Sequence, residues 1–160
     1  MRTVIEKIDL FTFNEASEAL KSKILTNYYD INVDHEWCDF TYEDANNIGV
    51  NITSFCLDRG SYCEIEFKHD AISTAESIIG EHGEACETYK TAKLFLSEVG
   101  TISNAIYGNY EDIEKEFKRS LSEDYRIMLA KEYEYLTSEE AITEALICNE
   151  YEFTEEGKIY

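Results

Sequence analysis

Between Tyr62 and Lys68 the chain alternates without a lapse. Cys63, Ile65 and Phe67 fall on one parity, and Tyr62, Glu64, Glu66 and Lys68 on the other. Successive side chains of an extended strand point to opposite faces, so a period of two describes a half-buried strand and fits no helix. Val50 to Leu57 is a second extended run, and Asp58-Arg59-Gly60-Ser61 between the two suits a short hairpin connection. A lone hairpin is marginally stable at best in water, so other parts of the chain must cover its apolar face.

Most of that cover reads as helix. Thr3 to Phe13 is first a further strand, with Val4, Ile8 and Leu10 on one parity and Ile5, Phe11 and Phe13 on the other. Asn14 or Ser17 can cap a helix in which Ala16, Leu20, Ile24 and Tyr28 recur every four residues. Asp34 is the next candidate cap, before a face of Trp37, Cys38, Thr41, Ala45 and Ile48 that Gly49 ends. Asp70 caps a helix carrying Ile72, Ala75, Ile78 and Ile79. After a loop around Gly80 to Gly83 comes a face of Ala85, Tyr89, Ala92, Leu96 and Val99. The longest helix follows Asn109, with Tyr110, Ile113, Phe117, Leu121, Tyr125, Met128 or Leu129, Tyr133 and Leu136 along its stripe. Thr137 and Glu140 have capping-box spacing ahead of Ile142, Ala145 and Leu146. Tyr151 to Tyr160, two apolar pieces around Glu-Gly-Lys, predicts a terminal strand or small hairpin.

This order lacks βαβ alternation and predicts a single α+β domain over 1–160. Its small antiparallel sheet would comprise the N-terminal strand and the central hairpin, with or without the C-terminal strand, packed with five to six helices.

The 160 residues include 34 Asp+Glu against 14 Lys+Arg, a formal charge of −20. A hydrophobic fraction of 44%, with 12 Tyr and 8 Phe, is too high for a disordered acidic tail. No apolar run approaches the ~20 residues that cross a bilayer, and the first residues do not read as a signal peptide. Five cysteines (Cys38, Cys56, Cys63, Cys86 and Cys148) without a CxxC are expected as free thiols of a cytoplasmic protein. The charge opposes direct binding to DNA, RNA or an anionic membrane, which all require Lys and Arg.

Catalytic signatures are absent: no phosphate loop, no GxSxG, no HExxH. The histidines are His35, His69 and His82. His82 and Cys86, at i,i+4, could offer two metal ligands with Cys56 or Cys63, but structural zinc normally takes four ligands in paired spacings. A surface histidine and a small buried thiol is the simpler reading. As a nucleophilic pair they lack an orienting Asp or Asn that the sequence identifies. Asp30, Asp34, Glu36, Asp39, Glu43 and Asp44 could hold Mg²⁺, yet 34 carboxylates bring a few together in any fold. No catalytic residue, metal or cofactor is expected.

The distribution of charge carries more. Between Lys23 and Arg59 lie 35 residues without a Lys or Arg, containing Asp30, Asp34, Glu36, Asp39, Glu43, Asp44 and Asp58. A second tract, Glu132 to Tyr160, has nine glutamates, Glu139, Glu140, Glu155 and Glu156 among them, against Lys158 alone. The helix between, Glu111 to Glu134, mixes eight acids with five bases in the usual pattern of a solvated helix. Concentrated like charge costs stability through self-repulsion. A rigid carboxylate array can imitate phosphates in the basic groove of a nucleic-acid-binding enzyme, or pair with some other basic protein; the plainest alternative is charge that keeps a soluble protein dispersed. Tyr29 and Tyr42 are candidate surface anchors in the same segment. Tyr28, Trp37 and Phe40 are expected in the core.

Several stretches resemble small acidic proteins carried by bacteriophages and prophages: Tyr28-Tyr-Asp-Ile-Asn-Val-Asp-His-Glu-Trp37, Tyr42-Glu-Asp-Ala45, Ile52-Thr-Ser-Phe-Cys-Leu-Asp-Arg59, His82-Gly-Glu-Ala-Cys-Glu-Thr-Tyr-Lys90 and Asn149-Glu-Tyr-Glu-Phe-Thr-Glu-Glu-Gly157. Some of those proteins carry antirestriction-, anti-CRISPR- or antitoxin-like labels. The resemblance implies a mobile-element setting, in the cytoplasm of a bacterial host, and no catalytic residue to carry over. The expectation is a non-enzymatic inhibitor that enters the basic nucleic-acid channel of a defence nuclease, such as a CRISPR effector or restriction enzyme. The alternative is an antitoxin-like or adaptor module with a basic protein partner.

Overall fold

The computed structural model describes residues 7–102 and 109–160. Its elements run β1 (Phe11–Thr12), α1 (Glu18–Asn27), α2 (Asp39–Asn47), β2 (Val50–Cys56), β3 (Tyr62–Phe67), α3 (Ala71–Glu81), α4 (Glu87–Ile102), α5 (Tyr110–Leu136), α6 (Glu139–Cys148) and β4 (Glu152–Phe153). The architecture is α+β, with six helices and two antiparallel strand pairs among the described residues. No helix among them is long and apolar enough to cross a membrane. The chain falls into two compact units, Met1–Trp37 with Glu132–Tyr160, and Cys38–Lys131.

In the first unit β1 pairs with β4, Phe11 opposite Phe153 and Thr12 opposite Glu152, and Phe153 forms a further bridge with Ile159. Ser17 caps α1 by accepting the Leu20 N–H. Phe13, Ala16, Leu20, Ile24, Ile142, Leu146 and Phe153 make a buried cluster, with Tyr28 and Ile159 packed against it. The C-terminal end is a small hairpin turning at Gly157, whose φ of +75° is the left-handed region that glycine enters freely. A Cβ at Gly157 would also lie 3.3 Å from Lys23 Cβ. The Gly157 carbonyl accepts from Asn27 Nδ2, and the Ile159 N–H donates to the Tyr28 hydroxyl at 2.7 Å.

The second unit is built on the hairpin, which forms where the alternation places it. Val50 pairs with Phe67 and Cys56 with Tyr62, with an irregularity between Ile52 and Ser54. Val50, Ile52, Cys63 and Ile65 are buried, while Asn51, Glu64 and Glu66 face water. Asp70 caps α3 by accepting the Ser73 N–H. Phe117, Leu121, Tyr125 and Leu129 form the buried stripe of α5, so Leu129 takes the core place and Met128 remains exposed. Phe117 stacks on Phe95 of α4 at 4.3 Å and meets Phe67 of β3 at 5.5 Å.

Five expectations are corrected in detail. The strands make two sheets, so the N-terminal strand joins the C-terminal one and not the central hairpin. It is also short: Val4 and Ile5 lie outside the described residues, Ile8 is exposed, and Glu15 accepts from both the N–H and the hydroxyl of Thr12, turning the chain into α1. Asp34 does not cap α2; its carboxylate meets His35 Nδ1 at 2.9 Å, and the helix starts at Asp39 with no side-chain cap. Trp37 therefore precedes the helix and packs on Tyr133 at 5.6 Å, and Phe40, one step around from the buried Thr41, turns outward. Among the described residues of α4 Thr88, Ala92 and Phe95 are buried, with Ala85 before it exposed, because the helix starts at Glu87 and faces the aromatic stack. Ser138 and not Thr137 caps α6, accepting the Ala141 N–H, while the Thr137 hydroxyl donates back to the Tyr133 carbonyl.

Candidate functional site

The acidic segment is divided between the two units. Asp30, Asp34 and Glu36, with Tyr29, lie in the turns after α1 in the first, and all four are exposed. Asp39, Glu43 and Asp44, with Tyr42, lie on α2 in the second. Tyr42 is half-buried, its ring 6.3 Å from Phe55, which leaves Tyr29, 57% exposed, as the freer of the two tyrosines.

Helix α2 sorts its residues cleanly. Thr41 and Ala45 point into the unit, while Asp39, Phe40, Glu43, Asn46 and Asn47 are exposed. Asp39 and Glu43, four residues apart, are neighbours on one face. Phe40 between them is 80% exposed, the most exposed of the large hydrophobic residues among those described. The helical spacing of the aromatics in this segment predicts a core place for Phe40, and the late start of α2 turns it outward instead.

Five of the cations among the described residues are held by acids a few positions away in sequence. Lys21 pairs with Glu18, Lys90 with Glu87, Arg119 with Glu116, Arg126 with Glu123 and Lys158 with Glu156. These contacts hold the carboxyls of Glu87, Glu116, Glu123 and Glu156 below their ordinary range, first through the hydrogen bond from the paired base. Among the described residues no base pairs with Asp30, Glu36, Asp39 or Glu43. In the other tract, Glu139 and Glu140 occupy the first turn of α6, where carboxylates complement the helix dipole. Glu155 and Glu156 flank the Gly157 turn, exposed.

Asp44 has a different place. Its Oδ1 lies 3.3 Å from His82 Nε2, and its Oδ2 accepts the Tyr125 hydroxyl at 3.2 Å. His82 Nδ1 is 2.7 Å from the Thr88 hydroxyl, and the His82 side chain is 10% exposed. The carboxylate thus links α2 to the end of α3 and the middle of α5, and His82 carries the chain of contacts on to the start of α4. The hydrogen bond from His82 is the main cause that pulls the Asp44 carboxyl below its usual range, while burial first, and Asp44 next, push the Tyr125 phenol up. Asp44 is a structural pin within the second unit. No local signal marks it, since its partners are far along the chain and each spacing by itself is unremarked.

Cys86 and His82 line one cavity, with Asp44 beside them. Both ring nitrogens of His82 are engaged, by Asp44 and Thr88. The five cysteines are unbridged, and burial raises the Cys63 thiol to about 11. Among the described residues no group of three or more His, Cys, Asp and Glu side chains is arranged to hold a metal ion. Comparison of the chain with protein-family models, curated proteins and solved structures finds no match.

Proposed function

We propose that the chain is a non-enzymatic protein inhibitor, carried by a phage or other mobile element, that occupies the basic nucleic-acid channel of a bacterial defence nuclease in the host cytoplasm. The observation that carries this reading is the outer face of α2, where Asp39 and Glu43 stand exposed and without a basic partner around the exposed Phe40. Two carboxylates on a rigid helix can engage Arg side chains that otherwise hold phosphates, and a strongly negative chain speeds encounter with a basic partner. Asp30, Asp34, Glu36 and Tyr29 extend the same chemistry in the first unit, with Glu139, Glu140, Glu155 and Glu156 as a second contact set. The mobile-element setting rests on the resemblance alone.

Phe40 favours a second reading. A sugar-phosphate backbone has no aromatic counterpart, whereas exposed aromatic anchors surrounded by polar residues are typical of protein interfaces. An antitoxin-like or adaptor module with a basic protein partner would use the same face without mimicry.

Purification of the host proteins that bind the tagged chain, followed by competition, separates the two. A mimic is displaced by excess DNA or RNA, and an adaptor is not. Reversing Asp39 and Glu43 to Lys should abolish capture while circular dichroism stays unchanged. The same number of reversals at Glu114 and Glu116 on α5 should matter less. Equal losses from both pairs would show that bulk charge drives binding and would sink the assignment of the α2 face.

A further inference from the structure

The second unit holds a cavity of about 360 Å³ beside the Asp44–His82 pair, within the size range of small-molecule sites. Ala85, Ile127 and Met128 give it an apolar wall. Its polar groups differ in how well they are satisfied. Asp44 and His82 engage each other, Tyr125 and Thr88. Glu87 pairs with Lys90 at 2.7 Å, and Lys131, which also lines the cavity, adds the smallest of the effects on the Glu87 carboxyl.

Asp124 is the exception. Its Oδ2 accepts the Thr91 hydroxyl at 2.7 Å, and among the described residues no cation pairs with it. The side chain is half-buried, and Glu87 and Glu123 add their negative fields to burial in pushing its carboxyl above the usual range. An ionised carboxylate so placed is incompletely solvated and faces like charge, so a cation in the cavity would relieve it. A divalent metal does not suit the site, since no set of three donors converges among the described residues. Met128 adds a flexible, polarisable thioether, a side chain that packs well against aromatic rings.

We propose that this cavity binds a small organic ammonium ion, its charge at Asp124 and a ring-sized apolar body against Ala85, Ile127 and Met128. The site is independent of the α2 face and stands or falls apart from the inhibitor reading.

Phenethylammonium is a suitable probe, with 2-phenylethanol and 3-phenylpropionate as neutral and anionic counterparts at constant ionic strength. Cys86 lines the cavity and is exposed, so its alkylation rate, followed by mass spectrometry, reports occupancy. Cys148 is exposed on α6 in the first unit and serves as the internal reference. A nine-atom ligand is expected to bind with a dissociation constant on the order of 1 mM. At about ten times that constant, alkylation of Cys86 should slow about tenfold, because only ~10% of the chain is free. Cys148 should be unaffected, and the alcohol and carboxylate should protect far less. Asp124→Asn, which retains the Thr91 contact, should remove the advantage of the amine over the alcohol. Ile127→Phe should fill the cavity and remove protection with Asp124 intact. Absence of protection, equal slowing at Cys148, or equal protection by all three probes would overturn the proposal. So would an Asp124→Asn variant, shown folded by circular dichroism, that keeps its preference for the amine.

Discussion

Removing the hydroxyl of Tyr125 tests whether Asp44 pins the second unit together. The ring of Tyr125 is fully buried in the stripe of α5, and its hydroxyl donates to Asp44 Oδ2 at 3.2 Å. Tyr125→Phe keeps the ring and opens almost no cavity, so the change isolates one hydrogen bond to an ionised group. Such bonds contribute ~1.5–3 kcal/mol. The Asp44 side chain is 40% exposed, so water can replace part of the interaction and the expected loss is about 1 kcal/mol. For a chain of this size that lowers Tm by about 2–4 °C. Urea titration followed by far-UV circular dichroism, with hydrogen exchange of the α5 amides, measures the loss where it arises. The carboxyl of Asp44 is depressed, so its stabilisation is present above its unfolded pKa, ~3.9, and is lost as pH falls through the folded value. The deficit of the variant should therefore be full at pH 7 and shrink below about pH 4. In an Asp44→Asn background the same substitution should cost measurably less, giving a coupling of at least ~0.5 kcal/mol. A variant within ~0.3 kcal/mol of the parent at pH 7, or a deficit that neither acid nor Asp44→Asn reduces, would refute the reasoning.

Ser138→Ala should destabilise the first unit by about 1 kcal/mol through loss of the α6 cap, whereas Thr137→Ala should cost less; paired urea titrations would reverse that order if Thr137 were the true cap. Phe117→Ala should cost ~3–5 kcal/mol, because it leaves a void between Phe95 and Phe67 that the paired elements cannot close, and a thermal melt with a loss under ~1 kcal/mol would contradict that packing.

Much of the secondary structure is legible in local sequence because its causes are local. The period of two in Tyr62 to Phe67, the caps at Ser17 and Asp70, and the four-residue recurrence of Phe117, Leu121, Tyr125 and Leu129 each depend on residues within one or two turns. The acidic character of α2 was equally plain, since exposure of Asp39 and Glu43 follows from charge. Phe40 was not, because an aromatic at helical spacing from Trp37 reads as core until the true start of the helix is known. By itself, then, the sequence determined the α+β class, the hairpin, the helical stripes and the concentration of negative charge. Only the tertiary structure decided that β1 pairs with β4, that Asp44 turns toward His82 and Tyr125, and that Asp124 borders a cavity without a basic partner. Those outcomes depend on residues brought together from distant parts of the chain. Strand pairing and buried polar satisfaction are set by which partners packing makes available, and local spacing does not contain that information.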